Sequence, residues 1–217
     1  MKIEASFVTS AVSASDFPRD ALAEIVLVGR SNVGKSSLIN ALVRQKLART
    51  STEPGKTRLA NVYRIARASA PPFHLVDLPG YGYARKIAQG LRAEGKGDPP
   101  FDDIVRAAFA RRPAALLLVD VRHPGLESDR AAWEWVSGAA AEAAVVATKI
   151  DKLARGERIR AMRQLESVFD ATVVPVSAST GEGMEILWNL IDSLANRPNR
   201  NSRRPNPTEA DRRLPKK

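Results

Sequence analysis

The sequence predicts an α/β fold with a mostly parallel central sheet and helices on both faces. Short aliphatic runs alternate with amphipathic segments, as where residues 114–119 are followed by residues 128–136. The aliphatic runs have no polar alternation, which is typical of parallel strands buried on both faces. The same alternation continues to the apolar face of residues 184–194, so one layered sheet accounts for nearly the whole chain.

The elements follow from hydrophobic spacing taken along the chain. Alternating or continuous apolar runs predict strands at residues 3–8, 24–28, 61–67, 73–76, 114–119, 143–147 and 172–176. Apolar residues at helical spacing predict helices at residues 36–43, 101–111, 128–136, 158–169 and 184–194. Residues 50–57 lack periodicity and contain Pro54 and Gly55, so we expect a loop there. Residues 81–100 are rich in Gly, Lys, Arg and Pro and are predicted to be mobile.

Length and composition exclude several classes of protein. The 217 residues are sufficient for one domain with tails. The chain contains no cysteine, which excludes disulfides, cysteine-ligated zinc, iron–sulfur clusters and thiol catalysis. It contains only two histidines, so a multi-histidine metal site is excluded as well. No apolar stretch approaches the ~20 residues of a spanning helix, and we expect a cytoplasmic monomer with no membrane partner.

The charge is concentrated in the C-terminal segment. We divide the chain into a lead-in strand (1–23), the domain that holds the motifs (24–196) and a basic tail (197–217). The net charge is +10, and the tail contributes eight basic and two acidic residues to it. With four prolines and no apolar periodicity, the tail is predicted to be disordered. A polyanionic partner follows, with ribosomal RNA favoured over lipid; the alternative is that the tail only aids solubility.

The most specific motif is Gly-Arg-Ser-Asn-Val-Gly-Lys-Ser at residues 29–36, which matches G-x-x-x-x-G-K-[ST]. It follows a predicted strand and opens a predicted helix, which disfavours a chance Gly-rich turn. Glycines allow a loop whose backbone N–H groups face phosphate oxygens, and the positive end of the helix dipole adds to this. Lys35 would supply a cation to the outer phosphates, and Ser36 a hydroxyl ligand to Mg²⁺.

A second motif, Asp-Leu-Pro-Gly at residues 77–80, follows the predicted strand at 73–76. Asp77 is placed to hold Mg²⁺ through water, and the Gly80 N–H to sense a γ-phosphate. Alone, the pattern Asp-x-x-Gly is also a common turn. Its position downstream of a phosphate loop favours the magnesium role.

The remaining motifs predict guanine selectivity. Thr-Lys-Ile-Asp at residues 148–151 also follows a strand, and Asp151 can accept two hydrogen bonds from the guanine N1–H and N2–H₂ groups. Adenine lacks those donors, so it would leave Asp151 unpaired. The stem of Lys149 can lie across the base, and a backbone N–H of residues 177–179 could reach the guanine O6. The alternative for Thr-Lys-Ile-Asp is a solvated turn, and residues 177–179 indicate nothing alone. Together with the two earlier motifs, in the right order and each after a strand, they predict a guanine-nucleotide site.

The motif set resembles the TRAFAC GTPases and, more closely, the EngB (YihA/YsxC) family of bacterial ribosome-assembly GTPases. The resemblance covers about residues 5–195. It implies a three-layer P-loop NTPase G domain that hydrolyses GTP to GDP and phosphate with Mg²⁺. It also implies ribosomal RNA or a large ribosomal subunit precursor as partner, and a requirement in cell division and septation. The matching segments are residues 29–37, 54–57, 77–84, Asp-x-Arg-His at 120–123, and 148–151.

The resemblance also implies roles for individual residues. Lys35, Thr57 and Gly80 would be catalytic, and Ser36, Thr57 and Asp77 would ligate the metal. Residues 45–59 and 81–100 would be the two switches, with Thr57 reaching Mg²⁺ when GTP is bound. The implied nucleotide-binding set is Gly29, Arg30, Ser31, Asn32, Val33, Gly34, Lys35, Ser36, Ser37, Gly55, Lys56, Thr57, Arg58, Leu59, Asp77, Leu78, Pro79, Gly80, Thr148, Lys149, Ile150, Asp151, Val176, Ser177 and Ala178.

Two positions bear on the hydrolysis rate. Tyr81 stands where Ras-like GTPases hold a water-orienting glutamine, and a phenol cannot place a nucleophilic water in that way. We therefore predict slow intrinsic hydrolysis that a partner or an ion accelerates. Asn32 stands where potassium-activated GTPases use an asparagine to hold a monovalent cation, which makes K⁺ a candidate cofactor. The alternative is that Asn32 only stabilises the loop.

Two other functions compete with a GTPase switch. A P-loop ATPase or kinase would share the phosphate loop, but Asp151 argues against it. A constitutive RNA-binding module with a regulatory or vestigial nucleotide site would share the basic charge. The intact Lys35, Ser36 and Asp77 argue against that alternative.

Overall fold

The computed structural model describes residues 2–49, 59–67, 70–81 and 103–196. In this part of the chain, seven strands form one sheet in the order β1-β3-β4-β2-β5-β6-β7. The strands are β1 (Ile3–Ala11), β2 (Ala23–Gly29), β3 (Ala60–Arg67), β4 (Ala70–Asp77), β5 (Ala114–Asp120), β6 (Glu142–Thr148) and β7 (Val173–Pro175). The helices are α1 (Lys35–Val43), α2 (Asp103–Phe109), α3 (Glu127–Ala139), α4 (Arg155–Phe169) and α5 (Met184–Ala195), with 3₁₀ turns at Ala14–Asp16 and Ile150–Lys152.

The sheet is mostly parallel, as predicted. β4, β2, β5, β6 and β7 run parallel to one another, whereas β3 pairs antiparallel with β4 and β1 pairs antiparallel with β3 at one edge. Because parallel strands end at the same edge, the segments that follow β2, β4, β5, β6 and β7 meet there. The motifs at residues 29–37, 77–80, 120–123 and 148–151 lie in those segments, so the topology brings them together, whereas residues 54–57 lie outside the described residues.

Helices cover both faces of the sheet. Along β2 the side chains of Val26 and Val28 pack in one apolar cluster, together with residues of α2, α3 and α4. Those of Ile25 and Leu27 pack in the other, together with residues of α1 and α5. All four are buried, which explains why the strand shows no polar alternation.

Each predicted strand and helix is present, and the differences lie at the ends. β1 continues to Ala11, three residues beyond the predicted end. A register shift between Phe7 and Thr9 interrupts the alternation of apolar and polar residues at Val8, so the sequence pattern ended before the strand does. β7 is shorter than predicted and spans only Val173–Pro175. The predicted loop at 50–57 lies outside the described residues, as does the mobile segment predicted for 81–100 apart from Tyr81.

The lead-in segment joins the main sheet. β1 pairs with β3 over residues 3–11, so residues 1–23 contribute a strand to the layer that holds the motifs. The domain boundaries at 24 and 197 stay a prediction, and the tail lies outside the described residues. None of the helices in the described ranges is long and apolar enough to cross a membrane.

Candidate functional site

The loop between β2 and α1 is shaped by its two glycines. A Cβ on Gly29 would lie 2.9 Å from the carbonyl oxygen of Leu118 on the neighbouring strand. Gly34 has φ +108°, a left-handed conformation that favours glycine. Leu38 N–H donates to the Gly34 carbonyl at 2.9 Å, so α1 begins directly at the loop. The predicted phosphate loop therefore lies at the N-terminus of a helix.

Lys35 closes this loop from inside. Its Nζ donates to the carbonyl oxygen of Gly29 at 3.2 Å, across the mouth of the turn. Burial lowers the pKa of Lys35, and the nearby Asp77 carboxylate opposes that shift. The ammonium thus has one neutral carbonyl as its hydrogen-bond partner, and the Asp77 carboxylate acts on it through its charge. A phosphate oxygen would be a stronger partner for the ammonium at this position.

The carboxylate of Asp77 ends β4 beside α1. Ser36 Oγ lies 3.5 Å from Asp77 Oδ2, and Asp77 Oδ1 is buried with no hydrogen-bond partner among the described residues. Burial raises the pKa of Asp77 to about 6, although Lys35 and Ser36 pull it down. A hydroxyl and an unsatisfied carboxylate are the oxygen donors that Mg²⁺ prefers, so these residues fit the predicted metal.

Gly80 and Tyr81 pack against the phosphate loop through their backbones. Tyr81 N–H donates to the Gly29 carbonyl at 3.3 Å, and Ser31 N–H donates to the Tyr81 carbonyl at 3.1 Å. A Cβ on Gly80 would lie 2.8 Å from the Ser31 nitrogen. The Asp77–Gly80 motif and the phosphate loop are therefore in direct contact. Together, residues 29–37 and 77–80 are called the phosphate half of the site.

The phenol of Tyr81 is buried and turned toward α3. Its hydroxyl donates to Asp129 Oδ1 at 2.9 Å, and both side chains are buried. Burial and the Asp129 carboxylate raise the pKa of Tyr81 far above its usual value, so the phenol stays protonated. Asp129 was not among the residues predicted from the sequence. It could have been found as a carboxylate on the buried stripe of α3, three residues before Ala132 and seven before Val136.

Residues after β6 are tied to the phosphate loop. Lys149 adopts φ +61°, and its Nζ donates to the Asn32 carbonyl at 2.6 Å and to Asp120 Oδ2 at 2.9 Å. Thr148 Oγ1 lies 2.7 Å from the Val33 carbonyl oxygen and 3.1 Å from that of Val119. The segment predicted to recognise the base is thus held against the segment predicted to bind the phosphates.

Asp120 is a second partner that sequence reasoning left without a role of its own. Arg122 clamps it with two hydrogen bonds, Nε to Oδ1 at 2.9 Å and Nη2 to Oδ2 at 2.6 Å. Burial favours the neutral acid, but the hydrogen bonds from Arg122 and Lys149 outweigh it and hold the pKa of Asp120 well below its usual range. Its signal in the sequence was a carboxylate at the end of a fully apolar strand.

Asp151 is held as an ionised acceptor. Ser177 Oγ donates to Asp151 Oδ1 at 2.7 Å, and Lys152 Nζ lies 3.3 Å from Oδ2. The Ser177 hydrogen bond lowers the pKa of Asp151 despite the opposing effect of burial. Ser177 N–H donates to the Glu182 carbonyl at 2.9 Å, which leaves the backbone N–H groups of Ala178 and Ser179 for the predicted contact to the guanine O6. Residues 120–122, 148–151 and 176–178 are called the base half.

The other predicted residues divide into three groups. Several have buried side chains and could offer a ligand only their backbone: Val33, Leu78, Pro79, Ile150 and Val176. Others are exposed or half-buried: Arg30, Ser31, Asn32, Ser37 and Leu59. Gly55, Lys56, Thr57 and Arg58 lie outside the described residues, so the switch I assignments stay predictions.

Comparison with known proteins agrees with this geometry. The sequence model of a family described as 50S ribosome-binding GTPase matches residues 24–176. A probable GTP-binding protein EngB of Heliobacterium modesticaldum is 43% identical over 202 residues, covering 90% of this chain and 95% of that protein. The chain belongs to the EngB family. A second relative of the same description, from Clostridioides difficile, is 42% identical over 202 residues, covering 88% of this chain and 93% of that protein. The EngB-family chain is accordingly a GTP-binding protein and a GTPase.

Solved structures with less similar sequences confirm the fold. The structure of Era in complex with MgGDPNP and nucleotides 1506–1542 of 16S ribosomal RNA has a TM-score of 0.64 and 21% identity. The match covers 81% of the EngB-family chain and 57% of the Era chain. A probable GTP-binding protein engB has a TM-score of 0.56 and 21% identity, over 80% of this chain and 98% of that chain. The α/β architecture is therefore that of P-loop GTPases.

Proposed function

We propose that this chain is a GTP-driven switch in the assembly of the large ribosomal subunit. The GTP-bound form would bind a precursor of that subunit, and hydrolysis would release it. The observation that carries this proposal is the contact between the base half and the phosphate half of the site. There Lys149 Nζ donates to the Asn32 carbonyl at 2.6 Å. The matching family, described as 50S ribosome-binding, supplies the ribosomal partner. Normal cell division and septation would depend on the chain through ribosome supply.

The nucleotide would be held at both ends. The backbone N–H groups of the phosphate loop and the Lys35 ammonium would bind the phosphates, with the Gly80 N–H at the γ-phosphate. Asp151 would accept the two guanine donors while the Lys149 stem packs on the base. The low pKa of Asp151 supports this role, because only an ionised carboxylate accepts both hydrogen bonds and donates none.

Ser36, Asp77 and Thr57 would hold the magnesium ion, Asp77 through water. When bound, Mg²⁺ neutralises charge on the β- and γ-phosphates. The unpartnered Asp77 Oδ1 supports the assignment within the described residues, because a buried carboxylate oxygen is costly unless something satisfies it. The role of Thr57 rests on the family resemblance.

Intrinsic hydrolysis would be slow. The Tyr81 hydroxyl is engaged with Asp129, so the side chain at the water-orienting position is directed into the core. A partner would supply the missing water-positioning group, or K⁺ held through Asn32 would add charge stabilisation. Single-turnover hydrolysis by the isolated chain at the rate of an activated GTPase would contradict this, and equal turnover in sodium and potassium buffers would contradict the role of K⁺.

The decisive experiment is co-sedimentation of the full chain with purified 50S and 30S particles. It is run without nucleotide, with GDP and with a non-hydrolysable GTP analogue. We expect binding to 50S that is strongest with the analogue, and weak binding to 30S. Equal sedimentation in all three states would favour a constitutive RNA-binding module. A preference for 30S would overturn the assignment to the large subunit.

The basic tail would add affinity for the RNA of the particle. Deleting residues 197–217 removes a net charge of +6. Binding to the 50S particle should weaken, and its dependence on salt concentration should become shallower. Unchanged binding after the deletion would leave the tail with a role in solubility only.

A further inference from the structure

The outward face of α4 presents an unpaired cluster of arginines. Arg155, Ile159 and Arg163 stand four residues apart on one stripe of the helix, and Arg160 lies beside them. All four side chains are exposed, and Ile159 is the large apolar residue among them at 47% exposure. We call Arg155, Ile159, Arg160 and Arg163 the arginine face.

The cations of this face are not matched by acids. Arg158, which points toward the adjoining loop, pairs with Glu182 at 2.6 Å. Arg155, Arg160 and Arg163 make no ion pair with any residue in the described ranges. The acid nearest the start of the helix, Glu157, accepts a hydrogen bond from the Ala154 N–H at 3.1 Å and thereby caps the helix. The guanidinium groups are therefore available to a partner.

The placement works against the stability of the helix. The N-terminus of a helix carries a partial positive charge, which favours acids in the first turns and disfavours cations there. α4 has arginine at its first position and two more arginines within the next five residues, against the single acid Glu157. Glu182 compensates Arg158, whereas Arg155 and Arg160 have no ion pair within the described residues. An uncompensated departure from a local rule is expected at a functional surface.

We propose that the arginine face is a docking surface for the phosphate backbone of RNA, which rests on the proposed ribosomal function. Arginine forks bind phosphate oxygens in pairs, and the Arg160 guanidinium lies beside Gly156, where its Nη1 would be 3.8 Å from an added Cβ. From Arg155 to Arg163 the helix rises by about 12 Å, which is enough to span successive phosphates of one strand. A single isoleucine is too little apolar surface for a membrane-bound helix, so an RNA is favoured over a lipid surface.

The surface lies next to the base half of the nucleotide site. α4 begins four residues after Asp151, and the 3₁₀ turn Ile150–Lys152 joins them. RNA held on α4 would therefore contact the same segment that holds the guanine. This places the polyanion beside the base rather than beside the phosphates, where like charges would repel.

The test replaces Arg155, Arg160 and Arg163 by glutamine in the full chain. Binding to a short RNA duplex and to purified 50S particles is measured over a range of salt concentrations. We expect about a 30-fold loss of affinity for both and a fall of about 2 in the slope of log affinity against log salt. GDP affinity should stay unchanged, since none of the three side chains contacts the site. The unfolding midpoint should not fall, because cations near the N-terminus of a helix are unfavourable.

The matched control removes the same charge elsewhere through Arg19→Gln, Arg64→Gln and Arg130→Gln, which are exposed positions outside α4 and outside the predicted switches. It should change binding by less than a third of that amount on a logarithmic scale. Equal losses in the two triple variants would mean that net charge alone acts, and would overturn the proposal. Binding of the wild-type chain to anionic phosphatidylserine vesicles that the arginine substitutions abolish, with RNA binding unchanged, would overturn it in favour of a membrane.

The result separates this inference from the proposed function. If the wild-type chain binds 50S particles and the arginine variant binds equally well, the docking surface is wrong and the ribosomal function stands. If the wild-type chain does not bind 50S particles in any nucleotide state, the ribosomal function fails. In that case a retained effect on the RNA duplex alone would keep the arginine face as an RNA surface.

Discussion

The two halves of the nucleotide site differ in how their charges are satisfied. In the base half, Asp120 is bound by Arg122 and Lys149, and Asp151 by Ser177, so the pKa of each carboxylate is lowered. In the phosphate half, burial raises the pKa of Asp77 to about 6 and lowers that of Lys35. The two halves lie at the same edge of one sheet, yet one stabilises its charged groups and the other destabilises them.

This difference indicates which half forms before the ligand arrives. The base half supplies its own hydrogen-bond partners, so its acceptor geometry exists in the free protein. The phosphate half leaves an ammonium and a carboxylate in a buried position, where anionic phosphates and a cation complete them. On the proposed function, selectivity for guanine would be preformed, whereas affinity for the triphosphate would depend on Mg²⁺.

Asp151→Asn should cause the largest loss. The amide cannot accept hydrogen bonds from both guanine donors at the same time, and its N–H₂ group would face one of them. We expect GDP affinity to fall by roughly 100-fold or more, as is typical when a site built for hydrogen bonds meets an unmatched partner. Isothermal titration of the purified variant with GDP measures this directly.

The control for that variant is Asp170→Asn, at the exposed C-terminal cap of α4. Asp170 has φ +47°, which asparagine tolerates as well as aspartate does. The change of carboxylate to amide is the same, but GDP affinity should not move. A comparable loss in both variants would show that net charge rather than base recognition sets the affinity.

Asp77→Asn and Asp120→Asn should change stability in opposite directions without nucleotide or metal. Asp77→Asn removes a buried charge that the fold destabilises, so we expect a gain of about 1–2 kcal/mol at pH 7.5. Asp120→Asn deprives Arg122 and Lys149 of a charged partner, so we expect a loss of about 2 kcal/mol. Urea unfolding in the presence of EDTA compares the two, and destabilisation by both variants would contradict the division.

The contributions of Asp77 and Asp120 to the free energy of unfolding should also depend on pH in opposite directions. Because the folded-state pKa of Asp77 lies above its unfolded value near 4, the folded chain binds the proton more tightly. Its effect on stability therefore becomes unfavourable as the pH rises from about 4 to about 6, and is constant above that. For Asp120 the folded pKa is lowered, so its contribution is present above pH 4 and is lost as the pH falls below it.

The fold could be predicted almost completely from the sequence. Parallel strands buried on both faces, such as β2 and β5, leave an unmistakable apolar run, and the motifs follow those runs. The differences were at strand ends: β7 is shorter than predicted, and β1 is longer because a shift in pairing at Val8 has no signal in a residue pattern with a period of two. Local spacing predicts elements well because hydrophobic burial acts residue by residue.

The pairings inside the site could not be predicted in the same way. The Tyr81–Asp129 hydrogen bond joins residues 48 positions apart, and the Lys149–Asn32 bond residues 117 positions apart. Spacing within one element says nothing about such contacts, because they depend on how two loops approach each other. The sequence identified the residue types for nucleotide chemistry, whereas their mutual support came only with the structure.

Gly80→Ala should damage the junction between the Asp77–Gly80 motif and the phosphate loop. The added Cβ would meet the Ser31 nitrogen at 2.8 Å and the Ser31 Cα at 2.9 Å, which are backbone atoms that cannot rotate away. We expect a loss of stability of about 2 kcal/mol and weaker binding of GDP. Thermal unfolding and nucleotide titration report the two effects.

Gly138→Ala is the matched glycine substitution. Gly138 lies in α3, where a Cβ meets nothing within 4 Å. Alanine should stabilise the helix by about 0.5–1 kcal/mol, with no effect on nucleotide binding. Loss of stability in the Gly138→Ala variant would contradict the open space described beside α3. An unchanged stability of the Gly80→Ala variant would contradict the close packing of Gly80 on Ser31.

Tyr81→Phe should have the smallest effect, and the absence of a large one decides the role of this residue. The variant removes the donor to a buried carboxylate and leaves Asp129 with Ser128 Oγ at 3.5 Å, so we expect a loss of about 1 kcal/mol in unfolding free energy. Asp129→Asn keeps an acceptor oxygen for the phenol and should be close to neutral. Single-turnover hydrolysis of GTP should change less than about twofold in either variant, since the buried hydroxyl is engaged with Asp129. A drop of about 100-fold, the scale at which a water-positioning or oxyanion-stabilising group acts, would instead place the phenol in the reaction.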